Sequence, residues 1–193
     1  MDKSKLTCDV TKSLEGHLLI AAPALQDPFF QRAVIYMCSH DAAGAMGVIV
    51  NYPVQNIKVN DILDQLDIQA GDNRDLPIHF GGPVDANRGF VVHSSDYTAE
   101  GNIIEKNGIS VSANIAVLQA LAEGRGPTNG MLVLGYAGWS AGQLEDEIEK
   151  GSWIIAAADP KLVFATGDEK KWSNAVASLG IELGHFSSQV GHA

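Results

Sequence analysis

The stretch "AVIYMCSHDAAGAMGVIV", residues 33–50, contains two short apolar runs separated by a turn-like pentapeptide. Runs of this length that are rich in Val and Ile and bounded by Gly and Asp are typical of β-strands. The spacing predicts strands over residues 33–39 and 45–50, close enough to pair as a hairpin. A hairpin joins antiparallel strands, so the stretch argues against a purely parallel sheet.

Other segments extend this pattern along the chain. Further strands are predicted from "HLLIAA" (17–22), "PIHF" (77–80), "RGFVVHSS" (88–95), "MLVLGYA" (131–137) and "WIIAAA" (153–158). Helical periodicity predicts helices over residues 59–66, 112–124, 140–150 and 168–180. Asn60 and Ser112 are the expected N-caps of the first two helices, and Gly124 is the expected stop of the second. Hairpin-spaced strands followed by alternating elements predict a single-domain α+β fold with a mixed sheet.

Composition and charge narrow the class of function. The chain has 193 residues and a net charge of −10, from 13 Lys and Arg against 23 Asp and Glu. An acidic chain without a basic run is repelled by nucleic acid, so we expect no direct nucleic-acid contact. The apolar runs are too short to span a membrane, and the N-terminus has no apolar signal core. We therefore expect a cytoplasmic protein with no membrane partner, no cofactor and no metal, in which Cys8 and Cys38 are reduced thiols.

The segment "GYAGWSAGQLEDEIEKGSWIIA", residues 135–156, predicts a strand-to-helix joint. Ser140 and Gln143 have the spacing of a capping box, and Trp139 and Leu144 that of a hydrophobic staple. Acidic residues follow at the predicted helix start, where the helix dipole favours them. The capping box, the staple and the helix dipole do not explain why Tyr136 and the glycines on either side of it are present. Glycines at such positions allow a backbone or a ligand to approach closely.

These motifs, together with "HLLIAAPALQDPFFQRAVIYMCSHDAAGAMGVIVN", "HFGGPVDANRGFVVHS" and the terminal "GHA", resemble the YqgE/AlgH family of bacterial proteins. The resemblance runs over residues 14–193 and leaves residues 1–13 as an N-terminal tail. It implies a single domain whose mixed sheet is curled into a barrel-like core surrounded by helices. Family members are often labelled transcriptional regulators. The resemblance carries no established reaction and therefore implies no catalytic residue.

Several side chains offer chemistry together with a simpler structural explanation. Cys38 and His40 are spaced to share one face of a strand and could form a nucleophile–base pair, although a buried core cysteine is the more common case. His79 and His93 could join His40 in a metal site only if the fold brings them together. Arg88 could bind a carboxylate or phosphate, or form a surface ion pair. The aromatic run 28–30 could bind a partner or close the end of the barrel.

The sequence predicts one shallow binding surface where "GGPVDANRG" and "GYAGWSAGQ" lie side by side at strand ends. This predicted surface comprises Gly81, Gly82, Pro83, Arg88, Tyr136, Gly138, Trp139, Ser140 and Gln143. We expect a non-enzymatic regulatory or interaction protein that binds a small anion or a protein partner there, with no catalytic residue. The alternatives are a hydrolase or transferase acting on a small anionic substrate, and a regulator that binds DNA directly. The acidic helix 140–150 and the absence of a cation from helix 112–124 disfavour the last of these.

Overall fold

The computed structural model describes residues 13–69 and 76–180. Cys8, nearly all of the predicted N-terminal tail and the terminal "GHA" lie outside the described residues. Nine strands form one sheet: β1 (His17–Ala21), β2 (Val34–Asp41), β3 (Gly44–Ile49), β4 (Ile78–Phe80), β5 (Val84–Ser94), β6 (Asn102–Lys106), β7 (Ile109–Ser112), β8 (Gly130–Ser140) and β9 (Trp153–Ala157). The helices are α1 (Val59–Gln65), α2 (Ile115–Ala122), α3 (Gln143–Glu149) and α4 (Asp168–Ser178), and a π-helical turn covers Lys161–Ala165.

The sheet runs in the order β6-β7-β5-β8-β3-β2-β1-β9, and β4 pairs with β8 beside this path. The β4–β8 pair is parallel and all other neighbours are antiparallel, which makes the sheet mixed. The sheet also curls, so that the Tyr36 hydroxyl on β2 reaches the carbonyl oxygens of Lys106 and Ile109 at 3.0 and 3.2 Å. The predicted α+β fold, with its early hairpin and curled sheet, is confirmed.

Both faces of the sheet bury apolar side chains. The inner face carries Tyr36, Phe90 and Val92, which share a core with α4 and the π-helical turn. On the outer face, α3 covers the β1–β3 half, and α1 and α2 cover the half around Val91 and Leu132. Alternation along β5 explains this division, because successive side chains of a strand point to opposite faces. One strand therefore contributes to two cores.

The helix starts differ from those predicted. Ser112 belongs to β7, and Asn114 caps α2 by accepting the Ala116 N–H at 2.9 Å. Lys58, not Asn60, precedes α1 and provides no side-chain cap. Gly124 follows the end of α2 in a left-handed conformation, as predicted. No helix in the described part of the chain is long and apolar enough to cross a membrane.

Candidate functional site

The two glycine segments of the predicted surface do lie side by side, but the chain itself occupies the space between them. Val84 pairs with Tyr136, and the Gly81 N–H donates to the Leu134 carbonyl oxygen at 2.7 Å. A Cβ on Gly82 would lie 2.1 Å from the Tyr136 carbonyl carbon, and one on Gly135 would lie 2.4 Å from the Gly82 oxygen. The close approach that these glycines permit is therefore a contact between backbones.

The expectation that these segments are bends at strand ends holds only for residues 81–83, which join β4 to β5. Residues 135–140 continue β8, and residues 84–89 are the first part of β5, with a register irregularity between Val84 and Gly89. Gly135 has φ of +73° within β8 and faces the Gly82 oxygen. Glycine inside a strand commonly marks such a close approach of another backbone. The glycines that suggested a loop in this segment are thus part of strand β8, where they allow the backbone around Gly82 to pack closely.

Trp139 points away from Tyr136, because the side chains of residues three apart on a strand lie on opposite faces. Its ring is only 6% exposed and lies edge-on to Trp153 at 5.9 Å. The indole N–H groups of both tryptophans donate to the same carboxylate oxygen of Glu147, at 2.9 and 2.8 Å. Trp139 is therefore a core residue of the α3 face and cannot share one site with Tyr136. From the aromatic run 28–30, Phe30 packs into this cluster and Phe29 is 50% exposed.

The start of α3 is not the predicted anion site. Ser140 ends β8, and the helix begins only after Gly142, so the capping box is incomplete. The Gln143 side chain still accepts hydrogen bonds from the Ser140 N–H and hydroxyl, both at 3.1 Å. The helix has seven residues and carries Glu145 and Asp146 in its first turn. An anion that approached the free backbone N–H groups at the start of α3 would be repelled by these two carboxylates.

Arg88 and Tyr136 are the part of the predicted surface that stays together. The Arg88 guanidinium carbon lies 5.2 Å above the Phe90 ring, whose centre is 6.2 Å from that of Tyr136. These two side chains are thus nearer to each other than the limit of about 15 Å that a small ligand could bridge. Within the described residues Arg88 forms no ion pair, so its partner there is the face of an aromatic ring. Pro83, in the turn before β5, and Gly138, on β8, are exposed nearby.

Cys38 and His40 do not form a nucleophile–base pair. Burial raises the pKa of the Cys38 thiol to about 12, so the reactive thiolate is not formed near neutral pH. His40 accepts the Leu14 N–H at Nδ1, 3.0 Å away, so its proton is on Nε2, which donates to Glu145 at 2.9 Å. The Glu145 pKa is lowered, chiefly by its own backbone N–H and then by His40. His40 thus links the start of the described chain to α3.

Sequence reasoning did not anticipate a cavity of about 330 Å³ between α1, α2, the first residues of β8 and the segment that joins the π-helical turn to α4. The lining contains both apolar and polar side chains, which are called the apolar wall and the polar wall. The apolar wall includes Val59, Leu63, Leu76, Leu118, Leu121, Ala122, Met131, Val163 and Phe164. The polar wall includes Asn60, His79, Thr128, Asn129, Thr166, Asp168 and Lys171. A volume of this size is at the lower end of the range for small-molecule sites, about 300–1,000 Å³.

The buried His79 and Lys171 and the half-buried Asp168 form the charged part of the polar wall. His79 Nε2 and Lys171 Nζ lie 3.0 and 2.7 Å from the same Asp168 oxygen, and Lys171 also donates to the Val50 carbonyl at 2.8 Å. His79 and Lys171 are 1% and 2% exposed. Burial opposes ionisation of Asp168, but the hydrogen bonds from His79 and Lys171 outweigh it and lower the pKa of that carboxyl. Asp168 and Lys171 therefore form a neutral ion pair.

His79 has one ring nitrogen without a partner. Nε2 must carry the proton that it donates to Asp168, so Nδ1 is an acceptor when the imidazole is neutral. Nδ1 is buried and has no hydrogen-bond partner among the residues that the structure describes. A buried unsatisfied polar atom costs about 1–3 kcal/mol and calls for an explanation such as a bound water or ligand. His79 is thus a buried side chain of the cavity lining with one unsatisfied nitrogen.

The three histidines considered for a metal site do not converge. His40 contacts Glu145, His79 contacts Asp168, and His93 contacts the Ser94 carbonyl oxygen. Residues 13–69 and 76–180 contain no group of three or more His, Cys, Asp and Glu side chains placed to hold a metal ion.

Relatives of this chain share its length. The AlgH-like family matches residues 18–184. A UPF0301 protein of Jannaschia sp. (strain CCS1) is 45% identical over 188 residues, which cover 96% of this chain and 98% of the relative. A UPF0301 protein of Afipia carboxidovorans is 44% identical, over 98% of this chain and 94% of the relative.

Two solved structures are similar to this one. The solution structure of the AlgH protein from Pseudomonas aeruginosa has a TM-score of 0.74 and 37% identity, over 100% of both chains. The crystal structure of a Corynebacterium diphtheriae protein has a TM-score of 0.69 and 23% identity, over 85% of this chain and 86% of that one, and so supports the fold alone. The family match covers most of the chain, and the relatives are similar over nearly their full lengths. This chain therefore belongs to the AlgH-like family, as its motifs predicted.

Proposed function

We propose that this protein binds a small amphipathic molecule in the cavity beside His79, without converting it. The ligand's apolar part would lie on the wall formed by α1 and α2, and its polar end would meet His79 and Lys171. The observation that carries this proposal is a cavity of about 330 Å³ whose lining includes His79, a buried side chain with an unpartnered Nδ1. Mostly apolar walls with a few converging polar groups are usual for small-molecule sites.

Binding is favoured over catalysis by the side chains that line the cavity. A histidine held by a carboxylate is also how enzymes orient a general base, so the enzyme alternative has one observation in its favour. A hydroxyl or thiol nucleophile bonded to His79 is missing from the described residues, since the side-chain hydrogen bond of His79 goes to Asp168. Of the two hydroxyl side chains at the wall, Thr128 is exposed and Thr166 donates to the Lys161 carbonyl oxygen. A regulatory role in the cell would then follow from occupancy of the cavity.

A protein partner that presents a carboxylate to Arg88 is the second candidate. Arg88 is exposed, forms no ion pair within the described ranges and lies close to Tyr136. An unpaired guanidinium beside aromatic rings is a common feature of protein interfaces. This candidate and the cavity use different residues, so one can be correct without the other.

The proposal can be tested by titrating the ¹⁵N-labelled protein with hexan-1-ol and following its amide signals by NMR. We expect the largest shifts at residues around the cavity, in β4 and in the first turn of α4. Ala122→Phe should abolish these shifts, because Ala122 is half-buried on the cavity wall. The matched control is Ala116→Phe, which places the same ring on the exposed side of α2. Shifts that are absent from the cavity, or that persist in Ala122→Phe, would refute the proposal.

A further inference from the structure

A second, larger opening is also lined by α1 and α2, and we infer that it is a docking groove for a basic amphipathic helix of another protein. Its volume is about 670 Å³, and Leu118 is the lining residue that it has in common with the cavity beside His79. The inference goes beyond the proposed function, because it concerns a different opening and a macromolecular partner. Either one can be correct without the other.

The groove lies over the outer face of the sheet. α1 with the residues that flank it supplies one side, the start of α2 supplies another, and each helix is only about 10–12 Å long. The strands below contribute Val91, Leu132 and Leu134, and the last of these is only half-buried. An apolar sheet face is stable when another layer covers it, and the layer on this half of the sheet is helical. A third helix is therefore the element that would complete the layer.

Exposed apolar side chains gather at this groove. Within the described ranges seven large hydrophobic side chains are exposed, and three of them line the groove: Ile57, Leu66 and Ile115, at 40%, 41% and 49% exposure. Apolar side chains that are scattered singly on a surface need no partner, whereas a group of them around a concave site marks an interaction surface. A helix with apolar residues at every third or fourth position is the usual occupant of such a groove.

The charge of the groove favours a basic partner. Asp61 is exposed and is the one charged side chain of the lining, which contains no Lys, Arg or His among the residues that the structure describes. The residues next to the lining in the sequence include Lys58 and Arg88 against Asp64, Asp67 and Asp85. Acidic side chains thus outnumber basic ones in and beside the groove, and the whole chain has a net charge of −10. Lys or Arg on the polar face of a partner helix would complement this charge.

The same charge disfavours two other occupants. An anion with an apolar chain, such as a fatty acid, would find no cation in the described lining to hold its carboxylate. A second copy of this chain would bring another ten negative charges to the contact. A basic helix is the occupant that matches both the exposed apolar side chains and the charge.

A designed peptide of about 14 residues, roughly 21 Å long as a helix, probes the groove. It carries Leu on one helical face and Lys on the other, and one end bears a fluorophore. Fluorescence polarisation with the full-length protein measures the affinity at about 0.15 M salt, where charges more than about 8 Å apart are largely screened. One control peptide has Glu in place of every Lys, and another has the same residues in an order without an apolar stripe. We expect the basic amphipathic peptide to bind at least about tenfold more tightly than either control.

Ile115→Gln should weaken binding of the basic peptide about tenfold, because it removes an apolar anchor from the groove. The matched control is Ile103→Gln, which changes another exposed isoleucine, in β6 and outside the lining, and should leave the affinity unchanged. Both side chains are exposed, so both variants should fold, and circular dichroism checks this.

Asp61→Asn should weaken the basic peptide about two- to fivefold, as expected for one exposed ion pair. Asp64→Asn is the matched control, since it removes a carboxylate from the same helix but outside the lining. Equal affinities in these two variants would mean that the charge of the groove does not select the partner, and would overturn the choice of a basic helix.

The remaining outcomes also decide the question. Equal binding of the three peptides, binding of none, or equal affinity in Ile115→Gln and Ile103→Gln would overturn the inference. Sedimentation of the protein alone tests the other macromolecular occupant. A dimer that Ile115→Gln dissociates would show that a second copy fills the groove, and the inference would be wrong. None of these results depends on whether hexan-1-ol binds in the cavity beside His79.

Discussion

The predicted surface and the cavity differ in how their residues came together. The predicted surface is built from two sequence motifs rich in glycine, and most of its polar groups already have partners within the protein. The polar cluster of the cavity joins His79 to Asp168 across 89 residues, with no motif around either, and leaves a buried nitrogen unpaired. The motifs mark where the backbone is constrained, and the unpaired atom belongs to the lining of the proposed binding site.

This difference gives each region its own expected response to substitution. Changes in the predicted surface should alter the stability of the fold, because its glycines and Trp139 hold backbones and core side chains together. Changes at the cavity should alter binding and the response of the protein to pH. Four substitutions test that separation, and three of them lie in the predicted surface.

Trp139→Ala should have the largest effect on stability. The ring is nearly buried, contacts Phe30 and Trp153, and donates to Glu147. Removing a large buried aromatic side chain costs about 3–5 kcal/mol, and one donor to the Glu147 carboxylate is lost as well. Denaturant unfolding measures this cost. Ser140→Ala, at the exposed neighbouring position, is the control. An unchanged unfolding midpoint in Trp139→Ala would show that the ring is not part of the core.

Gly82→Ala should cost about 2–4 kcal/mol, because it combines overpacking with an unfavourable backbone conformation. The added Cβ would lie 2.1 Å from backbone atoms of Tyr136, at a φ of +150°. Gly142→Ala is a matched control, since Gly142 has φ of +77° and nothing within 4 Å of the added atom. It should cost only the conformational term, about 1 kcal/mol. Equal losses in the two variants would mean that the backbone contact beside Tyr136 is unimportant.

Asp168→Asn should change how stability depends on pH. The hydrogen bonds from His79 and Lys171 hold the pKa of Asp168 below its ordinary value. Its carboxylate therefore stabilises the fold above the unfolded-state pKa of about 3.9, and this contribution is lost as the pH falls from there through the folded-state pKa. The free energy of unfolding should decline less steeply below about pH 4 in the variant. Glu169→Gln removes an exposed charge from the same turn as a control, and identical slopes for Asp168→Asn and the unaltered protein would contradict the assignment.

Arg88→Ala should have the smallest effect. Arg88 is exposed and interacts with the face of Phe90, a contact that contributes about 0.5–1 kcal/mol at such sites. Thermal unfolding should therefore shift by no more than a few degrees, about what 1 kcal/mol produces in a domain of this size. A loss above about 2 kcal/mol, which is typical of core rather than surface changes, would make Arg88 a structural residue and remove the main support for a carboxylate-bearing partner.

Much of the fold was predictable from periodicity. The apolar runs at 33–50 correctly predicted the β2–β3 hairpin, and the helical periodicity of the residues around Trp172 correctly predicted α4. The start of α2 was misplaced because Ser112 and Asn114 are both good caps, and only the end of β7 decides between them. Residues 138–140 were assigned to the joint between strand and helix, because glycine is depleted in strands. Position 135 favours glycine because the Gly82 backbone lies against it, and this contact between strands cannot be seen in the sequence.

The cavity could not have been predicted in the same way. His79 offered one signal, a polar residue inside the apolar run "PIHF", and Asp168 and Lys171 offered another, a pair three residues apart on a helix. Each signal is common and has an ordinary explanation. Their meaning depends on α4 packing across the sheet beside β4, which is a tertiary contact. The cavity volume likewise depends on how α1 and α2 are placed on the sheet.

The buried indoles also give the protein an optical signal on each face of its sheet. Trp139 and Trp153 lie close enough for their electronic transitions to couple, and both belong to the face covered by α3. Trp172 lies on the opposite face, donates to the Ala21 carbonyl oxygen at 2.8 Å and directly follows Lys171. Circular dichroism in the near ultraviolet should therefore be dominated by the coupled pair. Trp172 lies on the helix that supplies two charges to the cavity, so its emission is a label-free test of the proposed filling of that cavity.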